Sequence, residues 1–193
     1  MKNYRKLAAI DQLYFGYQEL ARALEISVAA ARVTAVRYVK QGFLVRLKRN
    51  VYVRRDRWEH LATPELFILA NVGQSPSYVS LLSALSYYEI STQMQRGFVE
   101  SIAVQRTTTL EADGIVFSYF KVKPEVYTCF SRQNDFFIAT PEKAYVDAVY
   151  LTWCGNYRID QTALDLNKLE IRRIKDIGGQ YPEKFRNYLK KTL

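Results

Sequence analysis

Several things are scarce in this 193-residue chain, and each scarcity excludes something. There are only two cysteines, Cys129 and Cys154, far apart and without CxxC spacing, so neither a disulfide framework nor a thiolate metal site is expected. They are read as buried, reduced thiols behaving as small hydrophobes. The lone histidine, His60, has no cysteine or acidic cluster beside it, so no metal and no cofactor are expected. The apolar stretch around Leu66–Val72 falls far short of the roughly 20 residues of a membrane span. The N-terminus "MKNYRKLAAIDQLYFGY" lacks the apolar core and cleavage site of a signal peptide, so a cytoplasmic protein is expected. There is no glycine-rich phosphate loop, no G-x-S-x-G elbow and no recognisable carboxylate pair, and nothing in the chain argues for an enzyme.

Acidic residues are also missing from one place in particular. "KQGFLVRLKRNVYVRR", Lys40–Arg55, holds six basic residues and no acidic one, yet is apolar at regular intervals. Of the net charge of +9, residues 1–60 contribute +8, with thirteen Lys/Arg against five Asp/Glu. Such asymmetry points to a polyanion-binding module, residues 1–60, joined to a near-neutral domain, residues 61–193.

What is present in the first third has an order. A first helix is expected over Asn3–Leu13, where Tyr4, Leu7, Ala8 and Asp11 recur at helical spacing. "YQELARAL", Tyr17–Leu24, reads as a short amphipathic helix. Ser27 is a good N-cap for a second helix from Val28 to Gln41, which Gly42 ends. Ala31, Ala35, Tyr38 and Val39 share its packing stripe; Arg32, Val33, Val36, Arg37 and Lys40 lie off it. The period then changes to two. Val45, Leu47, Val51 and Val53 would face inward around a Lys48-Arg49-Asn50 loop, with Arg46, Tyr52 and Arg54 outward. Helix, helix, basic hairpin is the order of a winged helix-turn-helix. On that reading Arg32 and Arg37 approach base edges or phosphates. Ser27 and Lys40 support backbone contacts, and Arg46, Lys48, Arg49 and Arg54 contact phosphates through the wing.

The remainder reads as an α+β domain. Thr63-Pro64 opens a helix, and Ser75-Pro76 makes a turn into another that runs through Leu81, Leu82, Leu85 and Tyr88. "ESIAVQR", "GIVFSYFKV", "VYTCF" and "FFIA" are strand-like, with turns at Asp113-Gly114 and in "SRQND", giving a small antiparallel sheet. Thr140 caps a helix with Pro141 in its first turn, and two basic helices follow, one lined by Leu169, Ile171, Ile174 and Ile177.

Three segments, "GFLVRLKRNVYV", "PSYVSLLSALSYYEI" (76–90) and "FFIATPEKAYVDAVYL" (136–151), resemble in the same order signature segments of the AbiEi-type antitoxins, bacterial abortive-infection regulators. Asn50 and Glu89 stand where that family usually has glycine. The resemblance implies a winged helix that binds double-stranded operator DNA at inverted repeats and represses a toxin–antitoxin operon in phage defence. It also implies a C-terminal domain that counteracts a nucleotidyltransferase-like toxin, direct contact with that toxin being left open. Tyr78, Ser80, Lys143 and Asp147 are polar positions at matching places, readable as an antitoxin surface or as structural hydrogen-bonding groups. The alternative function is an RNA-binding or toxin-binding neutralising protein without sequence-specific DNA recognition.

Overall fold

The computed structural model describes residues 6–93 and 97–193, a mixed α+β architecture with a two-stranded and a six-stranded sheet. Among the described residues no helix is long and apolar enough to cross a membrane. The chain divides into two compact units, residues 1–69 with 111–114 and residues 70–110 with 115–193, so residues 61–69 fall with the first unit.

In the first unit, α1 (Tyr17–Leu24) and α2 (Val28–Lys40) are joined by a three-residue turn. Glu25 turns left-handed at φ 57° to end α1. Ser27 Oγ then accepts the Ala30 amide at 3.2 Å, capping α2 as its residue type predicts. Ala31 and Ala35 are fully buried and share one cluster with Leu20, Ala21 and Leu24, since side chains this small let two helices approach closely. The expected first helix lies partly outside the described residues, Tyr4 among them; within them residues 6–8 are helical and the helix does not reach Leu13. The carbonyls of Ala8 and Ile10 instead accept from the Arg54 guanidinium at 2.8 and 3.1 Å, which satisfies the backbone where the helix stops.

The hairpin consists of β1 (Leu44–Lys48) and β2 (Val51–Arg54), antiparallel, with Arg46 opposite Tyr52 and a bulge between Arg46 and Lys48. Val45, Leu47 and Val53 are buried as the alternation requires, while Val51 is half-buried. Tyr52 is a correction: it does not face solvent but is 1% exposed. Phe15 forms a third, minimal strand beside β2, exchanging two 2.9 Å backbone hydrogen bonds with Tyr52, whose side chain joins Leu20, Ala35 and Leu44 in the cluster that α1 and α2 lay over that face. Burial, then the hydrogen bond the Tyr52 hydroxyl donates to the Tyr17 hydroxyl, pushes the Tyr52 hydroxyl up to about 12.

Asn50 does two jobs at the tip. It adopts φ 60°, a left-handed conformation asparagine tolerates, and its Oδ1 accepts the Tyr17 amide at 2.7 Å. The residue before α1 is Gly16, which has no side chain to cap the helix, and a β-carbon there would lie 3.0 Å from Asn50 Oδ1. The hairpin tip therefore caps α1 from 33 residues away. Asn50→Ala is expected to cost about 1–2 kcal/mol in urea unfolding, from the lost cap and the strained φ. Asn50→Gly loses the same cap without the strain and should cost less; equal costs would mean the strained φ contributes nothing, and a cost-free Asn50→Gly would mean the cap contributes nothing.

After α3 (Arg55–Trp58) and α4 (Thr63–Gly73), the second unit builds its sheet. Its strands are β3 (Ser77–Val79), β4 (Phe98–Ala103), β5 (Thr108–Ala112), β6 (Ile115–Lys121), β7 (Phe130–Gln133) and β8 (Phe136–Ala139), in the order β5-β6-β4-β3-β8-β7. The sheet is mixed, not antiparallel: β4 runs parallel to β6 over six residue pairs, and β3 parallel to β8. Asp113-Gly114 is a turn as expected, but the strand entering it is β5, so β6 returns parallel to β4. Residues 77–79 form the central strand β3 rather than a helix, α5 (Leu81–Tyr87) starting two residues later. Ser131 to Gln133 belong to β7 rather than to a turn, and "VYTCF" holds the end of a 3-10 turn before β7 begins at Phe130. Glu89 takes the glycine-like φ of 57°, so α5 still closes, with the Ile90 amide bonded to the Leu85 carbonyl at 2.8 Å.

α6 (Pro141–Trp153) is capped by Thr140 Oγ1 at the Lys143 amide and packs against α5, α7 (Ile171–Gly178) and α8 (Glu183–Leu189). Ile174 and Ile177 are buried on α7 and Phe185 and Leu189 on α8; Ile171 is exposed, contrary to its place in the expected stripe. The cysteines also differ from expectation: Cys154 is exposed and Cys129 half-buried.

Candidate functional site

Two constellations gather the residues singled out by sequence. The first lies on α2 and the hairpin. Packing uses Ala31, Ala35 and Tyr38 on α2, leaving Arg32, Arg37 and Lys40 exposed on the remaining arc. Arg46 and Arg49 are exposed on the hairpin and Lys48 is half-buried. Among the described residues none of these six cations forms an ion pair, whereas Arg54, Arg55 and Arg57 all do. Six uncompensated cations on neighbouring elements make a surface suited to a polyanion.

Tyrosines connect helix to hairpin. The Arg32 guanidinium lies 5.5 Å from the centre of the Tyr17 ring, and Tyr17 packs on Tyr52 with ring centroids 5.7 Å apart. Arg46 stands opposite Tyr52 in the β1–β2 register, and its charge opposes the rise in the Tyr52 hydroxyl's proton affinity. Arg32 and Arg46 thus meet at one tyrosine pair, which restrains the orientation of Arg32. Arg37 sits similarly 5.6 Å from the Tyr38 ring centre.

Two expected contacts are placed differently. Arg54 is committed inside the unit, donating to Ala8 and Ile10 carbonyls and pairing with Asp56 at 2.8 Å. It fastens the N-terminal segment to the hairpin. Ser27 spends its hydroxyl oxygen on the α2 cap, leaving its hydroxyl proton for any further contact.

The second constellation is in the second unit and is no surface. Tyr78, Ser80, Lys143 and Asp147 are each 0% exposed, which corrects the reading of them as an exposed antitoxin face. Lys143 and Asp147, one turn apart on α6, pair at 2.6 Å. The Lys143 ammonium also donates to the Val126 carbonyl at 2.8 Å and the Tyr181 hydroxyl at 2.7 Å, so all three of its protons are used. Asp147 Oδ1 accepts from Lys143 and, at 3.1 Å, from the Tyr181 hydroxyl; Oδ2 accepts from Tyr78 at 3.0 Å and Ser80 at 2.8 Å. Every site of the ion pair is satisfied, as burial of charge demands. Burial first, and then the Asp147 charge, raises the Tyr78 and Tyr181 hydroxyls well above the usual tyrosine value, which keeps them protonated donors. Because Ser80 Oγ serves Asp147, it does not cap α5; the Glu100 carboxylate accepts the Leu82 amide at 3.0 Å instead.

Sequence reasoning missed Tyr181 and Val126 as partners in this cluster. The four-residue spacing of Lys143 and Asp147 on a largely apolar helix was the available signal. His60 is exposed, its Nδ1 2.8 Å from the Asp56 carbonyl oxygen, and among the described residues no group of His, Cys, Asp and Glu is arranged to hold a metal ion. No protein-family model matches the chain, and no curated protein matches it either.

Proposed function

We propose that this chain is a DNA-binding transcriptional regulator whose N-terminal region is a winged helix-turn-helix. In this reading α2 is the recognition helix and the β1–β2 hairpin is the wing. The observation that carries it is the set of six cations, Arg32, Arg37, Lys40, Arg46, Lys48 and Arg49, that lack an acidic partner among the described residues while Arg54, Arg55 and Arg57, which follow the hairpin tip, are paired. A solvated basic face would have no reason to segregate in this way, and capping of α2 by Ser27 with its small packing face is what a helix held up to a groove requires. Arg32 and Arg37 approach bases or phosphates; Lys40, Arg46, Lys48 and Arg49 take phosphates. The target is double-stranded operator DNA at inverted repeats, one copy of the chain per half-site.

The resemblance to AbiEi-type antitoxins supports a second role, in which the C-terminal domain counteracts a nucleotidyltransferase-like toxin encoded in the same operon. Tyr78, Ser80, Lys143 and Asp147 then serve as the polar core that holds this domain together.

In a mobility-shift titration with the chain's own promoter fragment, Arg32→Ala with Arg37→Ala should weaken binding at least a hundredfold, about 1.5 kcal/mol for each charge-assisted contact. Lys48→Ala should weaken all sequences alike and flatten the salt dependence by about one phosphate contact. Wild-type affinity in the double variant would remove α2 from the interface. A nucleotidyltransferase reading frame immediately downstream is the observation that would favour the antitoxin role.

A further inference from the structure

The exposed arc of α2 is not uniformly basic. At about 100° per residue, Val33 and Val36 fall in its middle, with Arg32 to one side and Arg37 to the other, while Lys40 projects between the two valines one turn further towards the C-terminus and closes that end of the rim. Val33 is 72% exposed and Val36 50% exposed. Exposed β-branched residues disfavour a helix slightly, so folding does not ask for valine at either position. Small exposed residues, Ala29 and Ala30, occupy the turn before them, and no acidic residue occurs between Glu25 and Asp56.

An apolar centre with a cationic rim needs a partner that is apolar at its centre and anionic at its edges. A second copy of the same face does not meet this, because Arg32, Arg37 and Lys40 would be brought against their own counterparts. The major groove does: phosphates line both edges, and the thymine methyl is the apolar group on its floor. Resting on the DNA-binding reading above, we propose that α2 selects A·T-containing sites by contact with thymine methyl groups, Val33 and Val36 being its specificity-determining residues. The valines distinguish thymine from cytosine by the buried methyl, and the cations around them hold the helix in register.

The test replaces the methyl alone. Duplexes enriched from a random pool by the full chain are resynthesised with deoxyuridine for every thymine of the shared core. Each lost methyl contact is worth about a fourfold loss of affinity, so a site touched by both valines should weaken about fifteenfold. The Val33→Ala, Val36→Ala protein should bind the thymine and uracil duplexes alike, close to the affinity of the unaltered protein for the uracil duplex. The inference is overturned if the enriched core lacks thymine, if uracil leaves affinity unchanged, or if the double variant still discriminates. It is equally overturned if that variant changes the sedimentation of the free protein instead, since the valines would then be a protein contact. Failure to enrich any duplex would be a different result, removing the DNA-binding reading and this inference with it.

Discussion

Lys143→Met should lower folding stability by about 3–5 kcal/mol, a large fraction of what a domain of this size possesses. Methionine matches the lysine stem in length, so packing is little changed and the loss is electrostatic. It strands the Asp147 carboxylate at 0% exposure without its countercharge and leaves the Val126 carbonyl without its 2.8 Å donor. Asp147→Asn should cost a similar amount, because the ammonium then loses the partner 2.6 Å away. The double change should cost about 1–3 kcal/mol less than the sum, since neither charge remains to be stranded. Urea unfolding of the four proteins measures all three quantities. A loss below about 1 kcal/mol for Lys143→Met would mean that the cluster does not hold the domain together. Full stability with lost antitoxin activity would return the four residues to a direct functional role.

The second large effect is in salt. If all six unpaired cations of α2 and the hairpin meet phosphates, affinity for duplex DNA should fall about a thousandfold between roughly 50 and 200 mM salt. The logarithmic slope is then near −5, each contact contributing about −0.9. Removal of any one of the six should flatten it by that increment. Arg54→Ala makes the informative contrast: its guanidinium is held by Ala8, Ile10 and Asp56, so the variant should lose stability and keep the slope. A slope shallower than about −2 in the unaltered protein would remove most of these residues from any phosphate contact.

These two predictions differ in how visible their grounds were beforehand. The helix Tyr17–Leu24, the Ser27 cap and the Thr140-Pro141 opening of α6 are all where the chain's local chemistry puts them. So are the turn at Asp113-Gly114 and the left-handed Asn50. Each depends on neighbours within about four residues, and a cap or a turn carries the same chemistry in any tertiary setting. The strand alternation in the hairpin was legible too, yet it assigned Tyr52 to the wrong face. Alternation says which residues share a side, not whether another segment covers it, and the packed faces of α1 and α2 cover this one. The parallel pairing of β4 with β6 was invisible for the same reason: a turn signal marks where the chain reverses, not which strand enters the reversal.

The sequence alone determined where the capped helices begin, where the chain turns, and that positive charge is concentrated in the first third. Those properties are local or additive. Only the tertiary structure decided which cations are spare, because pairing depends on residues such as Ala8 and Arg54, 46 positions apart. It also decided that Tyr78, Ser80, Lys143 and Asp147 form one buried cluster. Tyr78 and Asp147 are 69 positions apart, and neither residue type announces burial by itself. A charged side chain is tolerated at zero exposure only when every one of its hydrogen bonds is met, and such complete satisfaction exists only in three dimensions.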